Sequence, residues 1–200
     1  MKTALMTMAA IAAVDARMGF GSCPKVASQP NFDMARHSGN WFEQQRDKLF
    51  TFEMGQECGT QAYRADGAGN YDLYFRAKFW MMMGENAGVG GKMTECGTND
   101  KGSCLATMGT SDKKYPIDIL ATDYDNWSVM YACSDMLGGD LMYANWLSIS
   151  TRTNAPISEE HLAAAQAAIR AQLPDFDLSS FAMHNTTQGR TCQYDWNTWN

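Results

Sequence analysis

The sequence predicts an all-β domain, an antiparallel up-and-down barrel or a sandwich, with one C-terminal α-helix packed outside it. Three observations carry this. Short β-prone runs succeed one another at near-regular spacing from Trp41 to Arg152, broken by turn residues such as Asp66-Gly67-Ala68-Gly69-Asn70. The period then changes once, where Leu162, Ala165, Ile169 and Leu173 recur at helical spacing before Pro174. Finally, six cysteines behind an export-type leader read as three disulfides.

The leader is a targeting segment. Met1-Lys2 supplies a minimal positive start, Ala4 to Val14 is an apolar run too short to span a bilayer, and Val14-Asp15-Ala16 ends it with small residues. Residues 1–16 are expected to be a signal peptide and 17–200 a single secreted, extracellular domain. No other stretch approaches membrane-spanning length. A net charge of −6 and a pI near 5.0 argue against nucleic acid or an anionic membrane as partner. The chain holds 15 Met, 9 Phe, 8 Tyr and 6 Trp, which suits either an adaptable core or a soft, polarisable cavity wall.

Ser22 to Asn31 is punctuated by Pro and Ser and reads as an irregular arm, and Phe32 to Arg36 as one helical turn before a bend at Gly39. Trp41 to Lys48 is the first strand, with Trp41, Glu43 and Gln45 on one face and Phe42 and Gln44 on the other. Neither face is cleanly apolar, which fits a partly polar cavity better than a dry core. Glu57 to Ala65, carrying Tyr63, is the second. In Tyr71 to Met83, Leu73, Phe75, Ala77, Phe79 and Met81 share one face, and Asp72, Tyr74, Arg76, Lys78 and Trp80 the other. Which face turns inward stays open. Gly84 to Cys104 is glycine-rich, with strands at Val89–Cys96 and Cys104–Thr110 and two cysteines near enough to staple a hairpin.

Tyr115–Thr122 and Trp127–Cys133 flank the turn Asp123-Tyr124-Asp125-Asn126. In Leu141–Arg152, Leu141, Tyr143, Leu147 and Ile149 alternate with Ala144, Trp146, Ser148, Ser150 and Arg152. Ser158 is a helix cap, with Glu159 and Glu160 at the positive end of the dipole. The helix needs an apolar surface to receive it, and Leu147 and Ile149 offer one, which sends Trp146, Ser148, Ser150 and Arg152 inside. A short strand near Phe181–His184 and then Cys192 complete the tail.

Motifs for catalysis fail on inspection. Gly88 to Lys92 resembles a phosphate loop, but Asn86 stands where its first glycine belongs and Met93 where a magnesium-binding hydroxyl belongs. Asp123-Tyr124-Asp125 resembles the start of a calcium loop, but Trp127 and Ser128 occupy ligand and glycine positions. His37, His161 and His184 are scattered, no metal-ligand or serine-nucleophile motif occurs, and paired cysteines leave no thiol nucleophile. No catalytic residue, metal or catalytic cofactor is therefore expected. Asn126-Trp127-Ser128 and Asn185-Thr186-Thr187 are N-glycosylation sequons.

Gly39-Asn40-Trp41, Thr122-Asp123-Tyr124 and Arg152, in this order and followed by one helix, resemble the three signature regions of the lipocalins. The likeness covers essentially the whole mature chain and is greatest to the apolipoprotein D, bilin-binding protein and crustacyanin group. The start Cys23-Pro24, Asn31-Phe32-Asp33 and Phe42-Glu43, the stretch Tyr131-Ala132-Cys133 and the ending Cys192-Gln193-Tyr194-Asp195 carry it. The resemblance implies an eight-stranded antiparallel up-and-down barrel, closed at one end by Gly39, Trp41 and Arg152. It implies disulfides Cys23–Cys133 and Cys58–Cys192, leaving Cys96–Cys104 as an extra in strands that help form the mouth. It also implies a carrier, not an enzyme, that encloses a small hydrophobic ligand: a carotenoid such as astaxanthin first, a bilin such as biliverdin next, then a retinoid, steroid or fatty acid. A lipocalin-type enzyme acting on a lipid or carotenoid is the competing class, and assembly into homo- or hetero-oligomers stays open. Glu43, Gln45 and Ser148 are candidates to orient a ligand's polar end, and Tyr63, Tyr74, Trp80, Trp127, Tyr131 and Trp146 to stack on an extended π-system; ordinary barrel packing is the alternative for each.

Overall fold

The computed structural model describes residues 18–48, 56–79, 85–97, 102–136, 141–180 and 182–194. The expected signal peptide and Trp80 lie outside them. The elements are β1 (Met18–Phe20), α1 (Met34–His37), β2 (Gly39–Asp47), β3 (Gln56–Ala65), β4 (Tyr71–Phe79), β5 (Glu85–Thr94), β6 (Ser103–Met108), β7 (Tyr115–Thr122), β8 (Trp127–Met136), β9 (Met142–Thr151), α2 (Glu159–Gln172) and β10 (Met183–Asn185).

From β2 to β9 each strand pairs antiparallel with the next, and β9 returns to β2 through Phe42↔Thr151 and Glu43↔Ser150. Closure gives an eight-stranded up-and-down barrel and removes the exposed edges an open sheet would carry. The short β1 adds to β9, and β10 adds to β2 beyond the point where β3 leaves it.

Alternation sorts the side chains into two cores. The inner one joins Trp41, Tyr63, Tyr71, Leu73, Met93, Ala106, Ile117, Ile119, Met130 and Ala132. The outer one joins Val129, Leu147 and Ile149 to Ala165 and Ile169 of α2. The helix forms as its sequence directs: the Ser158 hydroxyl accepts from the His161 N–H at 3.2 Å, and its apolar stripe settles on β7 and β8. Among the described residues no helix is long and apolar enough to cross a membrane.

All six cysteines are joined, as Cys23–Cys133, Cys58–Cys192 and Cys96–Cys104. These bonds tie the N-terminal arm to β8, the tail to β3, and the β5–β6 connection across itself. The last corrects an expectation. The connection lies at the end of the barrel that holds Trp41, since Met93 pairs with Tyr71 and Tyr63 with Gly39. Cys104 is buried in the inner cluster with Phe32 and Met93. The staple therefore braces the closed end and takes no part in the mouth.

The glycines of β5 have a packing reason. Gly90 pairs with Tyr74, and a Cβ on Gly88 would come within 2.4 Å of the Tyr74 hydroxyl oxygen. The phenol ring thus lies across two glycines on the barrel's outside. Tyr74, a candidate for stacking on a ligand, faces away from the interior, and Leu73 and Phe75 face into it.

Candidate functional site

The floor of the barrel is built on α1. The Asp33 carboxylate accepts from the Arg36 N–H at 3.0 Å and starts the turn; the backbone then bends at Gly39 with φ +110°. Gly39 is suited to this on two counts: the left-handed conformation, and a side chain there would meet the Arg152 Nη1 at 3.1 Å. The bend sends Trp41 inward, where it is fully buried and donates its indole N–H to the His37 carbonyl at 2.9 Å.

Arg152 lies across this plug. Its guanidinium carbon stands 3.8 Å from the Trp41 ring centre. Nε donates to the Tyr124 carbonyl at 2.8 Å, Nη2 to the Arg36 carbonyl at 2.7 Å and Nη1 to the Ser38 carbonyl at 3.1 Å. One cation so satisfies the carbonyls left open where α1 ends and joins them to the β7–β8 turn. That turn is held by Asp123, whose Oδ1 accepts from the N–H groups of Asp125, Asn126 and Trp127. Burial raises the Asp123 pKa, but these bonds outweigh it and the net direction is down.

His37 fills the space beneath Trp41, stacked on its ring at 5.0 Å and 3.0 Å from the Ser128 hydroxyl. Burial, then the Arg152 charge, pushes its pKa down to about 3, so it is a neutral ring in a buried floor. His37 was legible only as an isolated histidine with no metal partner.

From the floor upward the interior has two unlike walls. The wall of β4 to β8 presents Leu73, Met93, Ile117, Ile119 and Met130. The wall of β9, β2 and β3 is polar. The Tyr63 hydroxyl donates to Gln61 Oε1 at 2.9 Å, and Gln61 Nε2 donates to the Ser148 hydroxyl at 2.8 Å. Burial drives the Tyr63 pKa up, which keeps the phenol neutral. Glu43 sits on the same wall, 2.9 Å from Arg46 Nη1. Trp146 packs against the inner cluster.

Arg46 is the residue that sequence reasoning missed, and the reason is local. The β2–β9 register shifts between Glu43 and Gln45. Such a bulge flips the alternation beyond it. Gln45 therefore pairs with outward-facing Ile149 and hydrogen-bonds Asn185 at 2.7 Å, and Arg46 pairs with inward-facing Ser148. The expectation that Gln45 lines the interior is overturned by one extra residue. Trp127 and Tyr131 are corrected too. Both pack in the outer cluster with Leu147, Ile149 and the helix, on the far side of the wall from the interior. Both sequon asparagines, Asn126 and Asn185, stand exposed.

The barrel thus gathers Glu43, Tyr63, Trp146 and Ser148 inside and leaves Gln45, Tyr74, Trp127 and Tyr131 outside. Among the described residues no group of three His, Cys, Asp or Glu side chains is assembled.

No family model matches the chain. Apolipoprotein D of Cavia porcellus is 27% identical over 124 residues, which cover 59% of this chain and 60% of that relative's own length. Insecticyanin from the tobacco hornworm Manduca sexta superimposes with a TM-score of 0.72 at 18% identity, over 89% of this chain and 93% of that one. H1 crustacyanin from the lobster Homarus americanus does so with a TM-score of 0.68 at 19% identity, over 90% and 94%.

Proposed function

We propose that this lipocalin, which resembles the apolipoprotein D, bilin-binding protein and crustacyanin group, is a secreted carrier of a small hydrophobic ligand held inside its barrel. The observation that carries the reading is the two-walled interior: an apolar wall of Leu73, Met93, Ile117, Ile119 and Met130 faces hydrogen-bonding Tyr63, Gln61 and Ser148. Apolar ligand surface leaving water there is worth roughly 25 cal/mol per Å². A closed frame pinned by Arg152 limits the ordering that binding would otherwise cost. The polar wall orients one end of the ligand. Three disulfides fit an oxidising compartment, in keeping with residues 1–16 as a cleaved leader and with glycans on Asn126 and Asn185.

Within this class a pigment is the first choice and a carotenoid the first pigment, on the likeness to crustacyanin; half-buried Trp146 supplies a flat face for a conjugated chain, whereas Tyr63 is packed against His37 and Tyr71. The chemistry is burial and not turnover. All six thiols are spent in disulfides, and Glu43, an acid that the described residues place inside, is held in an ion pair.

The test is the absorption spectrum of the protein purified from its source, with mass spectrometry of its solvent extract. A visible band whose shape matches a carotenoid is the expected result. A colourless preparation that yields a lipid removes the pigment and keeps the carrier. An extract without any apolar small molecule contradicts the reading.

A further inference from the structure

Among the described residues the polar wall holds the buried cation Arg46, and Glu43 answers its charge. Arg46 and Glu43 face each other across the β2 bulge at 2.9 Å, with side chains only 6% and 13% exposed. The C-terminal tail locks the pair. Thr186 donates its hydroxyl to Glu43 Oε1 at 2.7 Å and lies 3.3 Å from Arg46 Nη1, and its N–H donates to the Gln44 carbonyl. Gln188 spans the carbonyls of Glu43 and Gly59 at 2.7 and 2.8 Å, and the Cys58–Cys192 bond fixes the tail that carries both residues.

Among the described residues, His184 pairs with Arg46 across β2 and β10 and is joined to Glu57 at 3.1 Å, and the remaining polar groups on this wall are neutral. Gln61 and Ser148 are linked to each other, and the Ser150 hydroxyl, 2% exposed and paired across the sheet with Ser128 and Glu43, has no hydrogen-bond partner among the described residues.

We infer that this interior selects ligands whose polar end is neutral, a hydroxyl or a carbonyl, against otherwise identical carboxylates, and that Glu43 is the residue that sets the preference. The inference rests on the carrier reading and names its substrate class. A carboxylate entering the barrel gives up its hydration. Arg46 does not repay it, because the Glu43 carboxylate on its Nη1 already offsets its charge and repels a second anion. A hydroxyl or carbonyl asks for one or two hydrogen bonds, which Ser148, Ser150 and Gln61 supply. With Glu43 made neutral, its carboxylate no longer offsets the Arg46 charge or repels a second anion, and the wall favours an acid.

The experiment is tryptophan-fluorescence titration of the ligand-free protein with all-trans-retinol and all-trans-retinoic acid at pH 7.5, two probes that share a polyene and differ at the end group. The expected result is retinol binding at least about tenfold more tightly than the acid, since tenfold corresponds to only about 1.4 kcal/mol of a larger desolvation cost. Glu43→Gln, close in shape and still able to accept from Thr186, reverses the order by gaining affinity for the acid. Arg46→Gln in the Glu43→Gln background abolishes that gain and leaves retinol binding in place, which separates a charge effect from a damaged fold. Equal or tighter binding of the acid to the unaltered protein overturns the inference and leaves the carrier reading standing, as does a Glu43→Gln variant that unfolds at the same temperature as the parent yet gains nothing for the acid. Failure of both probes to bind overturns the inference, and the carrier reading then stands or falls on the solvent extract.

Discussion

The Arg152 guanidinium lies over the Trp41 ring, its carbon 3.8 Å from the ring centre, and the two residues are contributed by opposite ends of the barrel sequence. Trp41 is fully buried, and truncating a buried Trp to Ala costs about 3–5 kcal/mol. Trp41→Ala is therefore expected to bring the protein close to unfolding. Arg152→Lys keeps the charge but loses the planar fork that serves the Arg36, Ser38 and Tyr124 carbonyls, at a cost of about 2 kcal/mol. Urea unfolding, with an unchanged dependence on denaturant, measures both. A Lys variant as stable as the parent would show that the fork is not what holds the floor.

His37 makes stability depend on pH. Its folded pKa is depressed from 6.5 to about 3, so the native state keeps the ring neutral where the unfolded chain takes up a proton. Below pH 6.5 the unfolded state binds more protons, and stability falls as pH drops through that value until about pH 3, by up to about 1.4 kcal/mol per pH unit. His37→Phe retains the stack on Trp41 and is expected to remove this component. The check is the difference between variant and parent unfolding free energies at pH 7 and pH 5; a difference that does not change with pH would contradict the account.

The glycines of β5 are not equivalent. A Cβ on Gly91 would come within 2.1 Å of the Thr107 carbonyl oxygen, a backbone atom with little room to yield, whereas one on Gly90 would rest 3.5 Å from the Tyr74 ring. Gly91→Ala is expected to cost about 1–3 kcal/mol and Gly90→Ala to fall within about 0.5 kcal/mol of the parent. Thermal unfolding midpoints of the two variants decide this; the reverse order would mean that the β5–β6 register differs from Gly91↔Met108.

How far the sequence discloses this molecule depends on how regular each strand is. In β9 the alternation runs unbroken, so Leu147 and Ile149 face the helix and Trp146 and Ser148 face the interior, as the pattern predicts. The helix, its Ser158 cap and the Gly39 bend were legible for the same reason: each rests on a local rule. In β2 the rule breaks at Glu43, because a bulge is a backbone event that no residue type there announces, and so Gln45 and Arg46 exchange sides. Tyr74 was undecidable because β4 has aromatic residues on both faces; the glycines opposite it settle the matter. Trp127 and Tyr131 show the limit in its general form. An aromatic side chain in a strand signals burial, but a wall covered outside by a helix buries residues on either face.

Two neighbouring residues of β8 decide whether a ligand is held within the barrel, as proposed. Ala132 faces the interior beside Trp146, and Tyr131 faces the outer core. Retinol titration is compared for Ala132→Phe and Tyr131→Phe, each first shown to unfold as cooperatively as the parent. Ala132→Phe fills the interior and is expected to weaken binding at least about tenfold, a loss of about 1.4 kcal/mol or more, and Tyr131→Phe to leave it unchanged. Full binding by Ala132→Phe together with loss in Tyr131→Phe would contradict the proposal and put the ligand on the outside of the wall.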